Sequence, residues 1–449
     1  MNFLVTIFVG LLLVFAVIQI VAASTNNGNR IVLNVAVIGA GPAGLCSAKH
    51  CLAEGHEVTV YEQSEEIGGV WYYTDEIGKD KYGNPIHSPM YQGLRTNTPY
   101  QVMTFSNFSY PTNTTPFPPQ TDVLKYLHSY ANHFELGKVI KLSHLVVRVL
   151  PIENDKWEVL VKNLQKNTFE TIVYDVVFVC SGQQSKPFIP NIDGADEFKG
   201  KIIHSHDYRK PEPFRNTNVL VIGPGPSGTD LVAQLSKVVN RLTFSRHKIV
   251  NETAEARKER QSLYSSNVIL KDDVTRFTST GAEFIDGSHE TFDVVFFATG
   301  YNLSFPFLSV DSGVYIEKKL IQPLYKQIFN AKHPTMAFIG TPRLFTNAYM
   351  FDFQVRFAMK FLPGAKKLPT KTEMMEDVHI FEKETLSIED WKEYVKQLSE
   401  LAAIEPVPDV LLNIAKENFV GRVREPNDFR KYRYIIIDDK TFRKEKYIT

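Results

Sequence analysis

The chain is poor in cysteine: 449 residues hold three, Cys46, Cys51 and Cys180. Cys46 and Cys51 fall on one predicted helix, where five residues turn the side chains through about 500° and point them apart. Three core thiols is therefore their expected role. An excess of charge is also absent. Fifty Lys and Arg balance fifty Asp and Glu, and the pI is 7.2. Nothing points to a nucleic-acid partner or an anionic surface. Basic residues close the chain (Arg422, Arg424, Arg430, Lys431, Arg433, Arg443, Lys444, Lys446) but alternate with Glu425, Asp428, Asp438 and Asp439. That interleaving predicts a solvated face. No nucleophile–base pair, metal cluster or paired carboxylate stands out, so no metal is expected. The C-terminus carries no apolar anchor.

A 43% hydrophobic and 22% charged composition is that of a folded globular protein, and the length calls for more than one core. The run Phe3 to Ala23 is apolar, broken only by Thr6 and Gln19. It ends in small residues, as before a signal cleavage site, so residues 1–23 read as a secretory signal and the protein as secreted. The run is also just long enough to span a bilayer and has no Lys or Arg ahead of it. A retained N-terminal anchor, with the protein membrane-bound in the secretory pathway, is the alternative. N-x-S/T triplets occur at Asn107, Asn113, Asn251 and Asn302.

The chain is organised around Gly39-Ala40-Gly41-Pro42-Ala43-Gly44, which follows an apolar, β-branched run from Ile31 to Ile38. A helical pattern starts at Pro42, and this strand–turn–helix context gives G-x-G-x-x-G its weight. Gly39 permits the tight turn, Gly41 admits a pyrophosphate, and Gly44 lets the helix pack on the strand. The helix N-terminus then faces phosphate. A second strand, Glu57 to Tyr61, delivers Glu62, 23 positions after Gly39. An acid there bonds a ribose with a free 2′-OH. Gln63 follows, then Gly68-Gly69-Val70-Trp71, where glycines let the backbone pass a ligand and Trp71 can cover an aromatic ring system.

Residues 72–120 are irregular and rich in Pro, Tyr, Phe and Asn, and a loop this long is usually functional. It contains Leu94-Arg95-Thr96-Asn97-Thr98-Pro99. A helix is predicted from Thr121 to Phe134, capped by Thr121 or Asp122, and an antiparallel meander from Leu145 to Val173. The segment Tyr174 to Gly182 recurs as Phe292 to Gly300, an internal repeat. Between them the opening pattern returns. Strand Asn218–Ile222 precedes Gly223-Pro224-Gly225-Pro226-Ser227-Gly228, and a helix is predicted from Thr229 to Val239. The next strand ends in Ser245-Arg246, with Arg246 again 23 positions after the first glycine. An arginine there accommodates a 2′-phosphate that an acid would repel. The first unit thus suits FAD and the second NADP. Met336 to Ile339 reads as a buried strand returning to the first sheet, followed by helices at Met350 to Phe361 and Ser387 to Ala403. The expected fold is α/β with two dinucleotide-binding (Rossmann-like) domains. The FAD domain comprises 31–190 and 301–449, and the NADP domain, 191–300, is inserted into it.

These residues resemble the flavin-containing monooxygenases over nearly the whole chain after Arg30. Phe198-Lys-Gly200 through His204 to Tyr208-Arg209 is similar to that family's F-x-G-x-x-x-H-x-x-x-(Y/F)-(K/R) signature, and Tyr208 stands where Baeyer–Villiger enzymes carry Trp. Thr96-Asn97-Thr98-Pro99 resembles its T-N-x-P, whose Asn touches the flavin. Ala298-Thr299-Gly300-Tyr301 resembles its A-T-G-Y, and Gln354 with Arg356 its Q-x-R. The N-terminal segment is similar to that of insect enzymes of the pyrrolizidine-alkaloid (senecionine) N-oxygenase type, which would imply alkaloid detoxification. The resemblance implies an enzyme that uses NADPH, FAD and O₂ to oxygenate an amine nitrogen or thioether sulfur through a flavin hydroperoxide. Asn97 would be the residue that steadies the oxygenated flavin. The cofactor carries the hard chemistry, and the protein positions and shields it. Two readings stand beside this: a flavin disulfide reductase, since Cys46 and Cys51 have a C-x4-C spacing, and a secreted flavoprotein that only binds nucleotide. Sequence leaves the oligomeric state open.

Overall fold

A computed structural model of the chain describes residues 31–341, 347–362, 364, 366–378 and 387–447. The expected signal or anchor at 1–23 lies outside them. No helix among the described residues is long and apolar enough to cross a membrane.

The first unit is strand β1 (Asn34–Ile38), helix α1 (Pro42–Ala53) and strand β2 (Glu57–Tyr61). β1 starts at Asn34, three residues later than the apolar run, because Ile31 and Val32 remain exposed. It lies parallel to β2 on one side and to β3 (Val176–Val179) on the other. All four residues of β3 are buried, as a parallel strand covered on both faces requires. The whole sheet has seven strands, in the order Leu324–Tyr325, Phe329–Asn330, Met336–Phe338, β3, β1, β2, Ile140–Lys141. Met336–Phe338 pairs in parallel with β3, the return that its apolar run predicts. The meander packs on one face as strands His144–Ile152, Lys156–Asn163 and Thr168–Tyr174. Its Trp157, Val159 and Val161 meet Ala36, Val177 and Val179. On the other face α1 buries Leu45, Cys46, Ala48 and Cys51 completely, and each large apolar side chain buried this way contributes about 1.5–3 kcal/mol.

The second sheet lies wholly within Lys201–Phe297. It contains β4 (Asn218–Ile222), helix α2 (Pro226–Leu235), β5 (Arg241–Ser245) and β6 (Val294–Phe297). Its five parallel strands run in the order Val268–Lys271, β5, β4, β6, Lys201–His204. The two units match bond for bond. Gly39 N–H donates to Tyr61 O at 2.8 Å and Gly223 N–H to Ser245 O at 3.0 Å. Cys180 N–H donates to Ile38 O at 2.9 Å and Ala298 N–H to Ile222 O at 2.8 Å.

Several boundaries differ from expectation. The helix predicted from Thr121 covers Gln120–His133. Neither Thr121 nor Asp122 caps it: Pro119, extended at φ −67° and ψ 159°, fixes the start without a side-chain cap. The helix predicted from Thr229 begins at Pro226, because proline at the first position has its φ already set for a helix. Thr229 instead bonds back to Gly225 O within the helix. Helix α3 (Ala348–Met359) starts two residues before the predicted Met350, capped by Asn347, whose side chain accepts from Met350 N–H at 3.0 Å. The C-terminal helix α4 (Asp409–Arg424) and the hairpin of Tyr432–Ile436 with Phe442–Lys446 had no clear sequence signal.

α3 is pinned to α1 by a buried charge. Asp352 accepts from His50 Nε2 at 2.8 Å, meets Arg356 Nε at 3.3 Å and also bonds Ser106. Burial pushes its pKa up, but these partners outweigh burial and hold the carboxyl below its usual range. This placement turns Phe351 and Asn347 toward the cavity described below.

The tightest constraint in the first unit is at Gly44, where an added Cβ would lie 1.8 Å from Gly39 O. The obstacle is backbone, so no rotamer relieves it, and α1 must leave its strand. Gly44→Ala is expected to cost on the order of 3 kcal/mol of stability and to lower cofactor retention, both measurable by urea unfolding and gel filtration. An unchanged unfolding midpoint would show that α1 can shift freely.

Candidate active site

A cavity of about 720 Å³ opens at the C-terminal ends of β1, β2 and β3, where open α/β sheets place their ligands. Gly39, Gly41, Pro42, Ala43, Glu62, Gln63, Gly69, Val70, Trp71, Thr96 and Asn97 all line it. The sequence singled out each of them.

Gly41 precedes α1 and gives it no side-chain cap, so its first N–H groups stay available and its positive end faces the cavity. Gly41 and Gly69 are close neighbours: a Cβ on Gly69 would stand 3.1 Å from Gly41 Cα. Gly68 N–H bonds Ala40 O at 3.0 Å and holds the two glycine turns together. Ala40 and Gly44 stand behind the wall. Ala40 N–H donates to Glu62 Oε2 at 2.8 Å, and the Ser64 N–H and hydroxyl donate to Oε1 at 2.9 and 2.8 Å. Glu62 is thus held rigidly on the cavity lining, 7% exposed. Two hydroxyls on the lining, Thr96 Oγ1 and Ser181 Oγ, are buried and have no partner among the described residues. A buried hydroxyl without a partner is costly. Both orphans, the glycine cradle and the fixed acid fit a nucleotide bearing a polar ring system, as FAD does.

The opposite wall carries Asn97. Its loop is tied down by Thr96 N–H to Pro118 O and by Gln120 N–H to Leu94 O, each at 3.0 Å. The C-terminal segment holds three successive carbonyls of this loop. Asn418 Nδ2 donates to Asn97 O at 2.9 Å, Arg430 Nε to Thr96 O at 2.9 Å, and Arg430 Nη2 to Arg95 O at 3.3 Å. Arg430 also meets Asp230 of α2 at 3.4 Å, and Tyr91 OH donates to the same carboxylate at 2.7 Å. The expectation of a solvated basic face is corrected here. Arg430 is spent on the Asn97 loop and Arg422 lines the cavity. Other cations of the cluster do form solvated pairs, such as Arg433 and Arg443 with Glu445. Spacing cannot show Arg430 bonding Thr96 and Arg95, more than 300 positions away.

Gln354 is also corrected. It does not line the cavity. Its Oε1 accepts from Gly340 N–H at 2.9 Å and its Nε2 bonds Tyr394 OH at 3.1 Å. Gly340 itself is on the wall, so Gln354 shapes the site from behind.

Of the second fingerprint, Pro226 and Ser227 reach the cavity. Gly223, Pro224, Gly225, Gly228, Ser245, Arg246 and Thr299 lie beyond it. Gly228 repeats the Gly44 constraint, its added Cβ standing 1.9 Å from Gly223 O. The Ser245 hydroxyl is turned inward to Asp272 O at 2.7 Å and buried, so it is not presented to a ligand. Thr299 is occupied by Phe188 O at 2.5 Å. Arg246 stands at the end of β5, and its buried Nε has no hydrogen-bond partner among the described residues. Burial and the neighbouring Arg260 both lower its pKa. Arg260 is neutralised by Glu252 at 2.6 Å and Arg257 by Asp272 at 2.8 Å. Arg246 has no ion pair among the described residues.

The His204–Arg209 segment forms a connector. Tyr208 OH donates to Gln234 at 2.7 Å, and Arg209 donates to carbonyls of Glu76, Ser88, His206 and Tyr208. Neither His204 nor Tyr208 lines the cavity. The three thiols are buried and free, and burial raises each pKa, Cys180 to about 12. Cys46 bonds Ala43 O and Cys51 faces Met359, so the pair that a disulfide reductase needs is not in place.

The family model for flavin-binding monooxygenase-like proteins matches residues 32–250 and 245–418. Senecionine N-oxygenase of Tyria jacobaeae is 35% identical over 423 residues, covering 92% of this chain and 91% of that protein. Flavin-containing monooxygenase FMO GS-OX3 of Arabidopsis thaliana is 34% identical over 360 residues, 77% of each. The solved structure of S-allyl-L-cysteine S-oxygenase from Allium sativum superimposes with a TM-score of 0.81 at 30% identity, covering 89% of this chain and 95% of that one.

The connector makes stability depend on pH. His204 is 4% exposed and its Nδ1 accepts from His206 N–H at 3.1 Å. Burial, then the neighbouring His206, lowers its pKa to about 4. The unfolded chain, with histidine near 6.5, therefore binds more protons between these values. This contribution is complete above pH ~6.5 and is lost as pH falls toward ~4, by about 1.4 kcal/mol per unit. His204→Asn keeps an acceptor but cannot titrate, and should flatten that slope in urea unfolding from pH 7 to 4.5. An unaltered slope would place the titration elsewhere.

Proposed function

Because the chain belongs to the flavin-binding monooxygenase-like family, we propose that it is an NADPH- and O₂-dependent FAD enzyme that N-oxygenates, or S-oxygenates, soft nucleophilic small molecules such as tertiary-amine alkaloids. The overall change is R₃N + O₂ + NADPH + H⁺ to R₃N-oxide, water and NADP⁺. The observation that carries the cofactor reading is the duplicated fingerprint geometry with opposite charges at one offset, Glu62 after β2 and Arg246 after β5. The named N-oxygenase among the relatives supports the amine. We further propose that the protein is secreted after cleavage near Ala23, which N-terminal sequencing of protein from the medium tests. Recovery only in membranes with Met1 retained would show an anchor.

FAD, when bound, accepts hydride and activates oxygen. The chain's own residues bind, orient and shield. Gly39, Gly41 and the α1 N-terminus receive the pyrophosphate, and Glu62 the ribose. Thr96 and Ser181 offer hydroxyls to the ring system, and Trp71 covers part of the cavity. Asn97 is fixed by its backbone, so its neutral amide can donate and accept at once without bringing a charge into the site. Phe351, Phe307 and Met103 on the lining keep part of it apolar, which keeps water away from a reactive group.

Two variants separate these roles. Asn97→Asp should retain FAD but form product on the order of 10²-fold more slowly, the loss typical of one positioned hydrogen bond, with peroxide released instead. Product per NADPH equal to wild type would remove Asn97 from the mechanism. Arg246→Ala should raise the KM for NADPH by roughly 10- to 150-fold, as for a lost charge-assisted contact, and leave that for NADH and the flavin content unchanged. Equal weakening of both coenzymes would make Arg246 structural.

A further inference from the structure

We propose that Arg422, carried by the C-terminal helix α4, binds the pyrophosphate of the nicotinamide coenzyme from the side opposite the N-terminus of α2. This rests on the reading of the second fingerprint as the coenzyme unit.

Arg422 lines the cavity together with Pro226, Ser227 and Asp230 of α2, and the Asp230 charge acts on it. That helix start has no side-chain cap, so its free N–H groups form one half of an anion site. Arg422 is half-buried and makes no hydrogen bond or ion pair among the described residues. The charges around it are already taken up. The nearest carboxylate, Asp230, is committed to Arg430 and to Tyr91 OH. Arg430 is committed to three partners in turn. Arg95, also on the lining, gives its Nε to Phe117 O at 3.2 Å. Arg422 and Arg430 thus share one acid, Asp230, which leaves positive charge in excess beside a helix N-terminus. Burial, then the like charge of Arg430, disfavours the Arg422 guanidinium, a penalty that an entering dianion removes. A guanidinium fork matches phosphate oxygens in geometry as well as charge. The pyrophosphate is common to NADPH and NADH. Arg422 should therefore raise affinity for both without choosing between them, whereas Arg246 chooses.

The test is calorimetric titration of the oxidised, FAD-loaded enzyme with three probes: NADP⁺, NAD⁺ and adenosine 2′-monophosphate. Arg422→Ala should weaken NADP⁺ and NAD⁺ alike, by about tenfold or more for one charge-assisted contact. It should leave adenosine 2′-monophosphate, which has no pyrophosphate, unchanged. Arg422→Lys should recover part of the loss, because it keeps the charge without the fork. Arg246→Ala run in parallel should weaken NADP⁺ and adenosine 2′-monophosphate and spare NAD⁺. If Arg422→Ala leaves both dinucleotides unchanged while Arg246→Ala behaves as expected, the proposal is wrong and the coenzyme reading stands. That result also follows if Arg422 serves an anionic group on the substrate. If neither variant alters any of the three, the coenzyme reading fails and takes the proposal with it. Thermal unfolding and the flavin spectrum report whether either variant is simply misfolded.

Discussion

Gly44 leaves no room for a Cβ against the carbonyl of Gly39, and the site depends on that close packing. It brings a helix start against a strand end, so that α1's unpaired N–H groups point into the space above β1 and β2 rather than along the sheet. Gly69 can then press against Gly41. Ala40, held between α1 and the turn, donates to Glu62. Each later feature uses the one before: a fixed acid requires a fixed Ala40 N–H, which requires the tight turn. The second unit repeats the arrangement through Gly228 and Gly223.

Two strand ends and a helix start make only half of an enclosure. The other half comes from the loop around Asn97, and that loop has no sheet of its own. It is held by carbonyl contacts at residues 95, 96 and 97, all supplied by the C-terminal segment. Arg430 bonds this loop and also Asp230 on α2, so one guanidinium joins the C-terminal segment, the Asn97 loop and the second unit. The C-terminal segment, which belongs to neither of the two large sheets, thus helps to close the cavity.

Legibility in the sequence followed the range of the forces involved. Both fingerprints, Glu62, Arg246 and the returning strand at Met336 were readable, because glycine requirements, strand periodicity and a fixed offset are local. Helix starts were misplaced at Pro119 and Pro226, where proline set the boundary, since a search for Ser, Thr or Asp caps passes over a backbone already fixed in φ. Gln354 was assigned to the cavity because a short motif names a residue and not the direction of its side chain. Arg422 and Arg430 were read as solvent-facing because the acids around them in sequence are not the acids around them in space. Arg430's carboxylate is Asp230, 200 residues away, and no local pattern encodes that pairing.

The two nucleotide ends differ in how complete they are before a ligand arrives. At the first, Glu62 already has three donors and the glycine turns are bonded to each other, so a nucleotide entering there orders little and should be held tightly. At the second, a Cβ on Gly225 would meet nothing within 4 Å, and Arg246 and Arg422 have no ion pair among the described residues. Binding there must supply the missing anions and close the space over them. On the proposed reading this difference suits the two cofactors. One stays through every turnover and gains from a preformed seat. The other must arrive and leave each cycle, and a site completed by the ligand's own phosphates allows that exchange.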